Sequence, residues 1–399
     1  MRSEKKVLIS GASIAGTALA FWLQKDGYSI TVIERSEVFR TGGQNVDIEG
    51  PGQEVIKLMG LEEKIEAMNT REKGVQLLNN SGKAIASLAK GAVGSFTSSY
   101  EILRGDLAHI MYDETKEKCN YRFGITITDI HQNERKVFVT FSDGTKDEFD
   151  LVFCTEGVSS NTRRMVMDES IRYKYIGLYA AYFRIPRRAE DGDWAKIYNG
   201  KGGSFILVRP VYNRDTTVLV NFRRKQFDTR DINSAEQKRM VREALAGAGG
   251  LANRVLEDLD YDQDFYLGPY TQIIASTWSK GRFILLGDAA YCPSALTGQG
   301  TPLSLTGAYV LAGELKKHQN YKEAVSEYEK IMRPYVDSGR TFFVNWLRYL
   351  YPRSSFGIAI LRAIAMFLSS KFMQRIFRLF GGGNDTSSYG GFVLPKYLF

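Results

Sequence analysis

Six small residues between two apolar runs are the first feature of this sequence that could do chemistry. Gly11-Ala12-Ser13-Ile14-Ala15-Gly16 follows the strand-like Val7-Leu8-Ile9-Ser10, and Thr17 to Lys25 then carries Leu19, Ala20 and Leu23 at helical spacing. A turn without bulky side chains lets the backbone approach a pyrophosphate. The helix that opens there offers N–H donors and the positive end of its dipole. Gly27 ends the helix, and Ser29-Ile30-Thr31-Val32-Ile33 reads as a second buried strand. That strand delivers Glu34, with Arg35 beside it, about 20 residues past the turn, where a carboxylate accepts hydrogen bonds from an adenosine ribose. The spacing is that of G-x-G-x-x-G with Ser13 at the second glycine, a modest steric obstacle. Strand, turn, helix and terminal acid together predict a dinucleotide-binding βαβ unit.

Other chemistries have little to stand on. Three widely spaced cysteines, Cys119, Cys154 and Cys292, suggest neither a disulfide framework nor a metal cluster, and three histidines (His109, His131, His318) make a His-rich metal site unexpected. Cys154 and Cys292 sit among apolar or small residues and read as packing thiols. The 399 residues are 44% hydrophobic and 25% charged, which excludes disordered and fibrous classes and allows two or three domains. Net charge is +8, but positions 331–380 hold eight basic residues against Asp337 alone, so the rest is near neutral and a general nucleic-acid binder is not expected. The opening MRSEKKVLIS lacks a signal-peptide pattern, and a cytosolic location is the default expectation.

The elements that must position such a turn follow in order. Residues 55–70 read as helix, 75–88 as a strand pair about Asn79-Asn80-Ser81-Gly82, and Ile102 to Leu107 as the entry to another helix. Val137 to Phe153 forms a hairpin-like stretch running into the buried strand Leu151-Val152-Phe153. Residues 172–225 alternate apolar and polar with many aromatics, a sheet apart from the nucleotide unit. Residues 234–260 are helical, Phe283 to Leu286 is a buried strand, and a long helix runs from about Ser304 to Lys317.

Three separated segments now align. They are Gly11–Gly16 with Glu34, then Glu156-Gly157 followed by Ser160-Asn161-Thr162-Arg163, then Gly287-Asp288-Ala289-Ala290-Tyr291-Cys292-Pro293 continuing to Gly298-Gln299-Gly300-Thr301. In this order and spacing the chain resembles the single-component FAD-dependent aromatic hydroxylases, the family of para-hydroxybenzoate hydroxylase. Arg104 with Leu107 is similar to that family's R-x-x-L segment, whose arginine reaches the flavin. The resemblance implies an α/β fold: a discontinuous Rossmann-like FAD-binding domain (1–75, 100–170, 275–330), a second β-sheet substrate domain (76–99, 171–274) and a C-terminal helical extension (331–399).

It further implies that NAD(P)H reduces FAD and that the reduced flavin traps O₂ as a C4a-hydroperoxide, which hydroxylates an electron-rich carbon. The cofactor carries that chemistry and the protein supplies placement, water exclusion and electrostatics. The residues agree. Asp288, after a strand and before a helix, can bond ribityl or ribose hydroxyls, and Gly298 and Gly300 leave N–H groups free to face a flavin pyrimidine ring. Departures from the family pattern are Ser13, Glu156 for the usual aspartate, Tyr291 for histidine, and Thr301-Pro302, where proline removes one N–H. Arg163 and Arg164 read equally well as a solvated basic pair.

Phe183, Phe205, Tyr212, Phe222 and Arg223 are the candidates for a substrate wall, against an ordinary sheet core and a surface charge. Gly42-Gly43-Gln44-Asn45-Val46-Asp47-Ile48, Tyr291 to Ser294 and the C-terminal helix are similar to the tetracycline-inactivating branch, which takes a large polycyclic phenol–enol. A pigment or natural-product hydroxylase, a reductase of the geranylgeranyl-reductase kind and a flavoprotein that only sequesters a ligand are the alternatives. Ile358, Leu361, Ala365, Leu368, Phe372, Ile376 and Leu379 share helical spacing with basic residues interspersed, too short and interrupted to span a bilayer. Such a helix can lie on an anionic membrane or pack on its own protein as lid or dimer contact, self-packing being favoured. Past Gly381-Gly382-Gly383 the tail is expected to be loosely ordered.

Overall fold

The computed structural model of the chain describes residues 5–39, 43–90, 100–226, 232–341, 350–370 and 391–399. Gly42, Arg348, the expected helix positions Phe372, Ile376 and Leu379 with Lys371, Arg375 and Arg378, and Gly381 to Gly383 lie outside these.

Lys6–Ser10, the first apolar run, is a central strand of a six-stranded sheet. Ser29–Glu34 and Leu151–Cys154 flank it in parallel, Asn120–Phe123 and Phe283–Leu285 continue the parallel order outward, and Ser279–Lys280 adds an antiparallel edge. These strands are unbroken apolar runs because both faces of the sheet are covered. Helix Ile14–Lys25, buried from Ile14 through Leu23, packs against helix Gly300–Lys317. The latter starts four residues before the expected Ser304. Pro302 falls in its first turn, where a missing N–H breaks no helical hydrogen bond.

The second sheet has seven strands in the order Tyr266–Ala275, Ile171–Ile185, Thr216–Arg223, Ser204–Arg209, Ala195–Gly200, Gly74–Leu78 and Ala84–Ala89. The strand pair about Asn79–Gly82 thus joins this sheet, through a parallel pairing with Ala195–Gly200. One face is packed by helices Ser234–Leu245 and Leu251–Glu257, whose Val241, Leu245 and Val255 share a core with Tyr179, Phe183, Ile206, Val220 and Phe222. The helix expected over 234–260 is therefore two, separated by Gly247, Gly249 and Gly250, all at positive φ. The other face is turned to the cleft described below.

Helix Ser355–Ser369 lies against strand Ala84–Ala89. Of the tail expected to be loosely ordered, residues 384–390 lie outside the described residues and 391–399 are docked. Phe399 packs at a tilt on Trp22 with ring centroids 4.6 Å apart, and the Tyr397 phenol donates to Glu314 Oε1 at 2.6 Å. Tyr397 lies where a Cβ on Gly313 would stand, so that glycine is the seat of its ring.

Candidate functional site

A cleft of about 1790 Å³ runs from the Gly11–Gly16 turn to the open face of the second sheet. Ordinary ligand pockets hold roughly 300–1,000 Å³, so there is room for a dinucleotide and a second large molecule. Of the expected cofactor residues, Gly11, Ser13, Ile14, Ala15, Glu34, Arg35, Arg104, Glu156, Gly157, Asp288, Gly298, Gln299, Gly300 and Thr301 line it. Gly16, Gly287 and Pro293 stand behind the wall. Gly16 and Gly287 serve close packing: a Cβ on Gly287, at φ +66°, would sit 2.9 Å from the Ala15 Cβ.

The turn is held from below. Gly11 N–H donates to the Ile33 carbonyl at 2.8 Å, and Ala12 N–H donates to Glu34 Oε2 at 3.0 Å. Ser36 N–H bonds the other Glu34 oxygen at 3.1 Å, so the carboxylate is oriented by backbone while it borders the cleft. Ser13, the departure from the glycine pattern, has a use. Its hydroxyl accepts from Arg104 Nη2 at 2.7 Å, fixing across the turn the arginine that begins helix Arg104–Asp113. Ser13 does not cap helix Ile14–Lys25 with its side chain, leaving first-turn N–H groups at the cleft wall for a ligand.

At the other sheet edge Asp288 opens a short helix and borders the cleft. Burial pushes its carboxyl above the usual carboxylate range, with Arg104 pulling the other way. Gly300 packs 3.4 Å from Asp288 Oδ1 when given a Cβ, Gly298 is left-handed in open space, and the buried Gln299 Oε1 has no partner. Ser294, also in the wall, holds φ +84°, a conformation uncommon for a residue with a Cβ and costing about 1–3 kcal/mol. Open backbone, an oriented acid at each end and an orphan amide oxygen fit a flavin dinucleotide laid along this edge. Tyr291 turns away from the cleft: fully buried, it packs on Trp278 and bonds the Tyr328 hydroxyl at 3.1 Å, and burial pushes its phenol up to about 12.

Glu156 is committed to its own chain. Its Oε1 accepts from Ser10 Oγ and Thr162 Oγ1, and its Oε2 from Ser160 Oγ at 2.6 Å and Thr162 N–H at 3.1 Å. The carboxylate thereby ties the end of strand Lys6–Ser10 to the start of helix Asn161–Met167. Arg163 is no solvated charge. It is wholly buried, with Nη1 donating to the carbonyls of Ala289 at 2.8 Å and Gly157 at 3.2 Å, and Nη2 to Val158 at 2.5 Å. The Glu156-Gly157 and Gly287-Asp288 bends are joined by this one side chain. An Arg163→Met variant, which strands three carbonyls, is expected to lose on the order of 3 kcal/mol in denaturant unfolding and to shed flavin on desalting, with Arg163→Lys intermediate.

The substrate wall differs from expectation at four of five positions. Phe205 lines the cleft, but Phe183 and Phe222 lie in the core on the opposite face, since strand residues alternate sides. Tyr212 is exposed in the turn after strand Ser204–Arg209, with the Arg71 guanidinium 4.0 Å from its ring centroid. Arg223 packs beside Gly203, off the cleft wall. The wall is instead Leu207, Leu219, Asn199, Asn221, Tyr182 and Tyr270, roofed by Tyr351, Leu361, Ala365 and Leu368 from the C-terminal extension. Asn221 Nδ2 donates to the Tyr351 hydroxyl at 2.7 Å, and Asn221 Oδ1 accepts from the Tyr270 hydroxyl at 2.8 Å. The same parity that carries Phe205 predicts Leu207 and Arg209 on its own strand, a signal available in the alternation.

A parallel sheet with a nucleotide turn, opening onto a second sheet-walled chamber, defines a class of enzyme that holds a dinucleotide in the first and a substrate in the second. Residues 4–337 match the family described as FAD binding domain. The chain belongs to that family, and it is an FAD-dependent monooxygenase. It is 36% identical over 403 residues to the flavin-dependent monooxygenase eupH of Phoma sp, covering 93% of each chain. It is 33% identical over 389 residues to the FAD-dependent monooxygenase asL4 of Sarocladium schorii, covering 89% of this chain and 90% of the relative. Among solved structures, the tetracycline destructase Tet(55) superposes with a TM-score of 0.83 at 28% identity, over all of both chains.

Proposed function

We propose that this enzyme hydroxylates a large, largely apolar, electron-rich aromatic or enolic molecule at the expense of NAD(P)H and O₂, and that tetracyclines belong to its substrate class. The observation that carries the reading is the second chamber. It is walled by Phe205, Leu207, Leu219, Leu361 and Leu368, and the polar groups among them are mostly neutral, Asn199, Asn221, Tyr182, Tyr270 and Tyr351, with the charge of Arg209 committed to Glu72 and Glu101. Burial raises the phenols of Tyr182, Tyr270 and Tyr351, so at neutral pH they are hydrogen-bond donors. Such a surface matches a fused-ring polyketone with phenol and enol oxygens along one edge. The likeness to the tetracycline destructase Tet(55) supports the same class.

Bound flavin supplies hydride acceptance and oxygen activation. The chain's own residues do the rest. Glu34, Arg104 and Asp288 would hold and orient the dinucleotide, and the first-turn N–H groups of helix Gly300–Lys317 would favour negative charge beside them. The roof from Tyr351 to Leu368 keeps water from the chamber.

The test is mass spectrometry of a polyphenol panel, tetracyclines included, after incubation with flavin-loaded protein and NADPH. A product one oxygen heavier, with O₂ and NADPH consumed in step, is the expected result. Fully loaded protein that leaves every panel member unchanged would sink this reading of the chamber.

A further inference from the structure

Helix Ser355–Ser369 has two apolar faces and only one of them is used. Its inner side, with Leu361, Ala365 and Leu368, roofs the cleft. Its outer side carries Phe356, Ile360, Ala363 and Phe367, spaced i, i+4, i+7, i+11, which is one continuous stripe along a helix. Phe356 is 76% exposed, Ile360 45% and Phe367 58%. Isolated apolar residues on a surface need no explanation, but a stripe containing two phenylalanines does.

The charge that flanks this helix in the sequence says what would cover it. From Thr341 to Asn384 the sequence has no aspartate or glutamate and six basic residues, Arg348, Arg353, Arg362, Lys371, Arg375 and Arg378. Arg353 stands exposed just ahead of the helix, and Arg362, on its inner side, is fixed by a 2.9 Å bond from Nη2 to Asn80 Oδ1. A second copy of this chain would bring this basic segment against itself with no acid to offset it. An anionic lipid surface offers both things the segment lacks, an apolar layer for the phenyl rings and negative headgroups for the guanidinium and ammonium groups. Among the described residues no helix is long and apolar enough to cross a membrane, which leaves a helix lying in the interface plane.

We propose that helix Ser355–Ser369 is an interfacial membrane-binding element, seating the roof of the cleft on an anionic bilayer surface. In that position the mouth beneath the helix faces the layer in which a large apolar substrate concentrates. The inference goes beyond the proposed function and is tested without any substrate, so failure of one leaves the other standing.

The experiment is co-sedimentation of flavin-loaded protein with phosphatidylcholine vesicles, with and without phosphatidylglycerol. The wild-type chain is expected to pellet only with the anionic vesicles and to be released by salt, because exposed charges are screened beyond about 10 Å at 0.1 M. The double variant Phe356→Ser/Phe367→Ser, which touches no cleft-lining residue, should bind the anionic vesicles roughly tenfold more weakly or worse. It should keep its flavin content and melting temperature. Wild-type protein left in the supernatant, or equal pelleting by the double variant or with neutral vesicles, would overturn the proposal. So would a concentration-dependent dimer that the double variant abolishes, since a second copy would then own the stripe.

Discussion

A chain carrying Gly16→Ala is expected to emerge colourless from purification, with flavin affinity reduced at least about a hundredfold. A Cβ at this position would stand 1.9 Å from the Gly11 carbonyl oxygen and 2.9 Å from Thr155 Oγ1. Neither neighbour can retreat. The Gly11 carbonyl accepts from Thr155 Oγ1 at 2.8 Å, that hydroxyl also donates to the Ser10 carbonyl at 2.9 Å, and Gly11 N–H is bound to Ile33. Three strands therefore meet under the turn, and relief must come from helix Ile14–Lys25, which is buried along ten residues. Overpacking of this sort costs about 1–3 kcal/mol of stability, but the larger loss is functional, because tilting the helix moves the first-turn N–H groups off the cleft wall. Gly27→Ala is the matched control. Gly27, unlike Gly16, is at positive φ, +74°, but has nothing within 4 Å, so its variant should lose about 1 kcal/mol and keep its flavin. Flavin absorbance after desalting, beside a thermal melt, separates the two. A fully yellow Gly16→Ala protein would remove the turn from cofactor binding.

What made that turn readable from sequence is that its evidence is local. Strand, bend and helix follow one another within thirty residues, and the Gly287–Thr301 segment repeats the pattern. Sequence reasoning weakened where two sides of one strand are equally apolar. In Ser204–Arg209, Ile206 and Val208 enter the core while Phe205 and Leu207 face the cleft, and nothing in the residue types ranks them. One correct assignment, Phe205, fixes the parity of its own strand but not the register of Thr216–Arg223, whose pairing sets Phe205 opposite Asn221. Phe222, one position further on, therefore points the other way. Arg163 shows a different limit. Beside Arg164 it reads as a surface pair, and the approach of Ala289, 126 positions later, adds a distant carbonyl to the nearby ones of Gly157 and Val158. The docked chain end was equally hidden, since the groove for Tyr397 and Phe399 is made by Trp22, Tyr309 and Gly313.

Removing the guanidinium of Arg209 should destabilise the protein by about 3–5 kcal/mol, and more at pH 8 than at pH 5. Its Nε and Nη2 donate to the two oxygens of Glu72 at 2.9 and 3.0 Å, and Nη2 also reaches Glu101 Oε1 at 2.6 Å. Both acids are wholly buried side chains and Asp47 lies 3.9 Å away, so one cation serves more negative charge than it can neutralise. Asn45 Nδ2 supports Glu101 at 2.7 Å. The network links strands Asn45–Ile48 and Tyr100–Leu103 to strand Ser204–Arg209, at a wall of the cleft.

Burial pushes the Glu72 carboxyl up to about 7, Arg209 opposing and Glu101 adding to the rise, so near neutrality this pair of acids retains a proton. A carboxyl raised on folding favours the fold fully below its ordinary value of 4.5 and loses that contribution as pH climbs through about 7. The difference is on the order of 3 kcal/mol. Wild-type stability should accordingly fall between pH 5 and pH 8 by more than that of Glu72→Gln, which cannot ionise. In Arg209→Met the two acids face each other without a counter-charge. The loss should then steepen with pH, and the added change Glu72→Gln should restore most of it. Parallel profiles for the wild type and Glu72→Gln, or an Arg209→Met deficit indifferent to pH, would mean that the proton is held elsewhere. Without it, two ionised carboxylates would have to share a single guanidinium in a dry wall, at a desolvation cost that the one amide donor of Asn45 does not offset.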